Sequence, residues 1–198
     1  MALAQVLIEG PKMSNHARGL WGYSGRTPEG RGLTVQSTGI GGPSAALVLS
    51  DLAELGVERG LRVGTCAALA PDLRPGDLVV VSEARPWAVD GRGAGPPALP
   101  NEQLLQHLRS ELLESARPGV VASLDALHPL PGHVTPTGDA ADMQTAALFA
   151  AGREVGIALA AVLIVTDAAS AEPLDDDSLL ERAAFAGEAA LRALDSTV

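Results

Sequence analysis

The sequence predicts a single α/β domain built around a largely buried central sheet. Three observations carry this reading. Short apolar runs rich in Val, Leu and Ile alternate with segments of helical periodicity along the chain. At 198 residues there is room for one full core and too little for two. No internal repeat or linker divides the chain. Aromatic residues make up only 3% of it against 46% hydrophobic overall, so the core has to be built from Ala, Leu and Val.

Taken in order, Gln5–Ile8 is the first strand candidate. Leu20–Ser24 and Leu33–Thr38 follow, and "SGRTPEGRG" between them reads as a hairpin-like turn. Pro43–Leu55 is the first expected helix. Ala45, Val48, Leu49, Leu52 and Leu55 recur at helical spacing, Pro43 suits its first turn and Gly56 closes it. Strands are expected at Gly60–Gly64 and Leu78–Glu83. The Pro/Gly-rich "RPWAVDGRGAGPPALPN" is a long loop of a size that often carries function. Helix Asn101–Ser115, strand Val120–Leu124, helix Asp142–Val155, strand Ala158–Thr166 and helix Ser178–Leu194 complete the chain. The acidic "LDDDS" before the last helix favours the positive end of its dipole and reads as a solvated cap.

Charge narrows the function. A formal net charge of −10 and a pI near 4.7 argue against nucleic acid or an anionic membrane as partner, because phosphate-backbone binding needs a basic surface. The lone cysteine, Cys66, allows no intramolecular disulfide and no multi-cysteine metal site, and it reads as a small buried hydrophobe. His16, His107, His128 and His133 show no metal-ligand spacing, so no metal is expected. No apolar run reaches the roughly eighteen residues of a spanning helix, and "MALAQVLIEG" lacks the charge and length of a signal peptide. The expected setting is the cytoplasm.

Two stretches point to chemistry. In "TGIGGPSAA" a strand runs through Gly39, Ile40 and Gly41 into a helix start. Glycines let the backbone approach a ligand closely, and the free N–H groups of a helix start favour anions or hydroxyls. A tight strand-to-helix turn would give the same pattern. In "GLRVGTCAAL" a single arginine, Arg62, sits inside an apolar strand, where its charge must find a partner. With Gly64 and Thr65 it could form an oxyanion cradle, and a salt bridge to an acidic side chain would satisfy it equally.

"NHARGLWGYSG", "VQSTGIGGPSAALVLSDLAELGV", "RVGTCAAL", "PGDLVVVSEA" and "VASLDAL" stand here in the order and spacing of a known family. From about Asn15 onward the chain resembles the nucleoside phosphorylases of the trimeric or hexameric class, which include purine nucleoside and uridine phosphorylases and, more distantly, methylthioadenosine/adenosylhomocysteine nucleosidases. The resemblance implies a three-layer domain with a mixed, curved sheet flanked by helices. It implies that Arg62, Gly64 and Thr65 hold phosphate, and that Arg18 reaches the same anion across a subunit interface. Asp142, Met143 and Gln144 would form the ribose segment, with Met143 on the sugar and Gln144 at its hydroxyls. Asp167 resembles the acid that protonates a purine leaving group, and Arg182 the arginine that assists it. Leu127 and His128 stand where base-contacting aromatics are usual.

The chain also departs from the family pattern. The Gly-Asp-Pro-x-Arg loop that completes the phosphate site is missing from "VLIEGPKMSNHARG". The usual Glu-Met-Glu is Asp142-Met143-Gln144, which exchanges one carboxylate for a neutral amide. The implied activity is phosphorolysis of a nucleoside to free base and ribose 1-phosphate, with inorganic phosphate as co-substrate and no organic cofactor. The alternatives are a nucleosidase that uses water and a non-catalytic nucleoside-binding relative. The partners are nucleoside and phosphate, with a homo-oligomer of two to six copies completing the site.

Overall fold

The computed structural model describes residues 2–88, 95–126, 135–169 and 171–196. In chain order these form α1 (Ala2–Leu7), β1 (Glu9–Asn15), β2 (Gly22–Arg26), β3 (Gly32–Gln36), α2 (Gly42–Glu54), β4 (Arg59–Ala68) and β5 (Leu78–Trp87). Then come α3 (Glu102–Leu112), β6 (Ala116–Leu124), β7 (Ala140–Asp142), α4 (Thr145–Val155), β8 (Ala158–Asp167) and α5 (Asp176–Asp195).

The central sheet is mixed and curves until it closes, in the order β4-β7-β6-β5-β8. Strand β4 runs parallel to β8, β6 runs parallel to both β5 and β7, and the β5–β8 and β4–β7 pairs are antiparallel. Strands β1, β2 and β3 make a separate antiparallel sheet. Its β2–β3 connection is the hairpin expected from "SGRTPEGRG".

Alternation along the central strands divides the interior in two. Val79, Val81, Ala161, Leu163 and Val165 face one core, shared with Ala45 and Leu49 of α2 and Leu148 and Phe149 of α4. Leu78, Val80, Ala160, Val162 and Ile164 face the other, shared with Leu104 and Leu108 of α3 and the alanines of α5. Helices therefore cover both faces of the sheet, which gives the three layers. Fully buried leucines such as Leu108 and Leu163 each contribute roughly 1.5–3 kcal/mol through lost apolar hydration. The helix starts follow the sequence. Asn101 accepts from the Leu104 N–H, and Asp175 of the acidic run accepts from the Ser178 N–H, each capping a first turn.

Several elements differ from expectation, among them the short strand β7, for which the sequence offers no strand candidate. Gln5–Ile8, read as a strand, belongs mostly to helix α1. Its apolar side chains meet α5, where Gly187 leaves the space that Leu3 and Leu7 occupy. A short apolar run has no periodicity to separate strand from helix, and the docking decides. Strand β1 was not anticipated because "EGPKMSN" is polar; among the described residues it pairs with β2 alone, at a sheet edge that tolerates Pro11. Helix α4 begins at Thr145 rather than Asp142, because Asp142 ends β7 in register with Ser123 of β6. Among the described residues no helix is long and apolar enough to cross a membrane.

Candidate active site

The site begins with β4. Strand alternation places Arg62, Gly64 and Cys66 on one face and Val63 and Thr65 on the other. Cys66 accordingly enters the core shared with α2 and α4, and Val63 the core shared with α3 and α5. The Arg62 side chain folds back over Gly64. A Cβ there would lie 2.7 Å from both Cζ and Nη2 of the guanidinium, so only glycine leaves the fork its place.

The guanidinium is 14% exposed and its partners all come from one four-residue segment. Nε donates to Thr145 Oγ1 at 3.2 Å, Nη1 to Gln144 Oε1 at 2.7 Å and Nη2 to Asp142 Oδ2 at 3.2 Å. Burial pulls the pKa of Arg62 down, and the charge of Asp142 opposes that. The guanidinium stays charged, as arginine does in proteins. Of its five N–H bonds three are engaged, leaving one on each terminal nitrogen.

Asp142 is 1% exposed and fully matched. Its carboxylate accepts from Ser123 Oγ at 2.6 Å, from the Thr145 N–H at 3.0 Å and from Thr145 Oγ1 at 2.5 Å, besides Arg62. Ser123 Oγ in turn accepts from the Ala146 N–H at 2.9 Å. A buried ion pair is tolerable only when the remaining donors and acceptors are satisfied, and these are. The salt bridge that the sequence left open is thus present, and its acid is a member of the expected ribose segment.

Gln144 closes the arrangement from the other side. Its amide group donates to Gly39 O at 2.7 Å, with longer contacts to Gly41 O and Thr38 O at 3.3 and 3.4 Å. Its oxygen accepts from Thr38 Oγ1 at 3.0 Å as well as from Arg62. Gly39 and Gly41 have φ of +69° and +82°, and Ile40 between them is 78% exposed. Cys66 lies behind the network, where burial first and the Asp142 charge second push its thiol up to about 12, so it stays protonated.

The other expected residues lie apart from this cluster. Thr65 is exposed and donates to none of the groups around Arg62; with Val63 and Gly64 it lines a shallow apolar groove of about 310 Å³ under α1 and α5. Asp167 ends β8 opposite Ala67 of β4, exposed, and its Oδ2 accepts from Thr166 Oγ1 at 2.7 Å. Arg182 donates from Nε to Gly76 O at 2.7 Å, and its guanidinium stands 5.9 Å over the Phe185 ring. Arg18 sits in a tight turn with φ +57°, exposed and without an ion pair or side-chain hydrogen bond to any described residue. Met143 is half-buried between Asp142 and Gln144. Leu127 and His128 lie outside the described residues. Among the described residues no cluster of three His, Cys, Asp or Glu side chains could hold a metal ion.

Sequence reasoning missed Ser123, Thr145 and Thr38. Each had a signal. Ser123 lies within "VASLDAL", Thr145 follows the ribose segment directly, and Thr38 opens the glycine loop.

Residues 2–198 match the phosphorylase superfamily. The chain belongs to this superfamily. Within it, the guanosine phosphorylase of Halorubrum lacusprofundi is 34% identical over 179 residues, which cover 83% of this chain and 74% of that protein. A DeoD-type purine nucleoside phosphorylase of Geobacillus kaustophilus is 37% identical over 83 residues, 41% of this chain and 35% of that protein. Two solved structures share the fold. The uridine phosphorylase of Vibrio fischeri superimposes with a TM-score of 0.82 at 24% identity, covering 98% of this chain and 86% of its own. The 5'-methylthioadenosine/S-adenosylhomocysteine nucleosidase of Campylobacter jejuni gives 0.82 at 18% identity, covering 98% and 93%.

Proposed function

We propose that this chain cleaves the N-glycosidic bond of a nucleoside by phosphorolysis, giving free base and ribose 1-phosphate. It is an enzyme of the nucleoside phosphorylase class, as its relatives are. One observation carries the chemical reading: the Arg62 fork is held from behind by Asp142, Gln144 and Thr145 and keeps an N–H on each terminal nitrogen. Two donors left on a charged, positioned fork suit a tetrahedral oxyanion.

In this scheme a phosphate oxygen bonds to the anomeric carbon while the C–N bond breaks and its electron pair leaves with the base. The base gains a proton as it departs, and Asp167 at the open end of β8 is the group we assign to supply it. A leaving base is a poor anion, so help with that proton acts where charge develops. Arg182 would assist from α5 through the terminal nitrogens that Gly76 does not engage. Thr65 would add its exposed hydroxyl to the substrate's surroundings. No group beyond inorganic phosphate is required, and the cytoplasm is the compartment assigned.

The exposed Arg18, in a conformation few non-glycine residues adopt, supports a homo-oligomer in which it faces a neighbour's site. Exposed Trp21 and Ile40 add apolar surface for such an interface.

The test is base release from a panel of purine and pyrimidine nucleosides with and without inorganic phosphate. Phosphate-dependent release with ribose 1-phosphate as co-product is expected. Equal rates in the absence of phosphate would identify a hydrolase, and binding without turnover a non-catalytic relative.

A further inference from the structure

We propose that Gln144 is a clasp that fastens the glycine loop of residues 38–41 to Arg62, and that it is not a ligand of the sugar. The argument rests on what an amide can and cannot do. Gln144 has two protons and two lone pairs to place. Its oxygen takes Arg62 Nη1 at 2.7 Å and Thr38 Oγ1 at 3.0 Å, and its nitrogen gives a proton to Gly39 O at 2.7 Å with Gly41 O and Thr38 O close by. Arg62 can only donate and a carbonyl can only accept, so the orientation of the amide is fixed by its partners. At 3% exposure there is neither a free lone pair nor an open face for a sugar hydroxyl.

The same geometry explains why the residue is an amide. A glutamate of equal length would satisfy Arg62 and would then turn its second oxygen, without a proton, toward three carbonyl oxygens. That arrangement would set a carboxylate oxygen against carbonyl oxygens and leave Gly39 O without its donor. The loop is also tied down beside Gln144, because Ser44 Oγ donates to Thr38 O at 2.8 Å. The neutral amide is therefore matched to inward-turned loop carbonyls, and the substitution that looks like a weakened sugar site is a structural link between the loop and the arginine. Gln144 is on this account a positioning residue, and its kinetic consequences rest on the phosphate role given to Arg62 above.

The full-length chain and its Gln144→Glu and Gln144→Met variants provide the test, with two independent readouts. Hydrogen–deuterium exchange over residues 37–42 is expected to quicken about tenfold or more in both variants, since each loses the donor to Gly39 O. In steady-state kinetics of Gln144→Met, KM for inorganic phosphate is expected to rise about tenfold with kcat changed less than about threefold, because Arg62 loses an anchor and not its charge. Unchanged loop exchange in either variant would overturn the clasp. So would a fall in the nucleoside KM of Gln144→Glu, the result expected if a stronger acceptor met the sugar hydroxyls. Should the wild-type chain show no phosphorolysis, the activity proposal fails alone and the exchange readout still decides the clasp.

Discussion

The two faces of β4 differ sharply. On one, Arg62 lies over Gly64 in a network with Asp142, Gln144, Thr145 and Ser123 that leaves no carboxylate oxygen unpartnered. On the other, Thr65 stands exposed in an apolar groove, and at the same end of the sheet Asp167 has, among the described residues, the neighbouring Thr166 as its side-chain partner. The first face is organised before any substrate arrives. The second is open and would be completed by substrate or by a second copy of the chain. Under the proposed function, an ordered Arg62 beside an open face would suit positioning catalysis, because only the reacting groups would then have to be ordered.

The largest test of this contrast is Asp142→Ala. It leaves the buried Arg62 charge without its counter-ion and several donors without an acceptor. A loss of about 3–5 kcal/mol is expected in denaturant unfolding. On the open face Asp167→Asn should leave stability within about 0.5 kcal/mol. Its kcat on a purine nucleoside should fall by roughly 10²-fold. If Asp167 proved the more destabilising change, the comparison would be reversed.

Gly64→Ala sharpens the contrast. The added methyl meets the far end of a flexible side chain, so the guanidinium moves and the backbone stays. Phosphate KM is expected to rise about tenfold, with a thermal midpoint lowered less than in Asp142→Ala because the ion pair is displaced and not removed. The smallest effect concerns Cys66. Its thiol in the folded chain is pushed up to about 12. The native state therefore holds a proton that the unfolded chain loses at lower pH, and stability from this group is complete below the ordinary thiol range and lost as pH climbs toward 12. Urea unfolding at stepped pH from 8 to 11 should show the decline, and a Cys66→Ala variant should show less of it. A thiol reagent at pH 8 should label wild type only after unfolding.

Much of the alternation of strands and helices was legible because it rests on periodicity, while the layering came from the family resemblance. The apolar runs of β5 and β8 and the spacing of Ala45, Val48 and Leu49 on α2 are local patterns that tertiary packing reinforces. The short apolar start was not legible, since its helical state depends on docking against Gly187 far along the chain. In the site, Arg62 was found because a charge in an apolar strand demands a partner. Its partners lie 80 to 83 residues away and could only be offered as an unnamed acid. Gln144 shows the same limit: the sequence reveals an amide in place of a carboxylate, while the carbonyls that make the amide necessary appear only when the loop folds onto it.

The central claim is that the two unengaged N–H bonds of Arg62 receive inorganic phosphate. Calorimetric titration of phosphate into wild type and Arg62→Lys tests it most directly, since lysine keeps the charge and loses the fork. Saturable one-site binding by wild type, weakened about tenfold or more in Arg62→Lys, is the result expected. Equal affinity in the two proteins, or no phosphate binding by wild type, would contradict it.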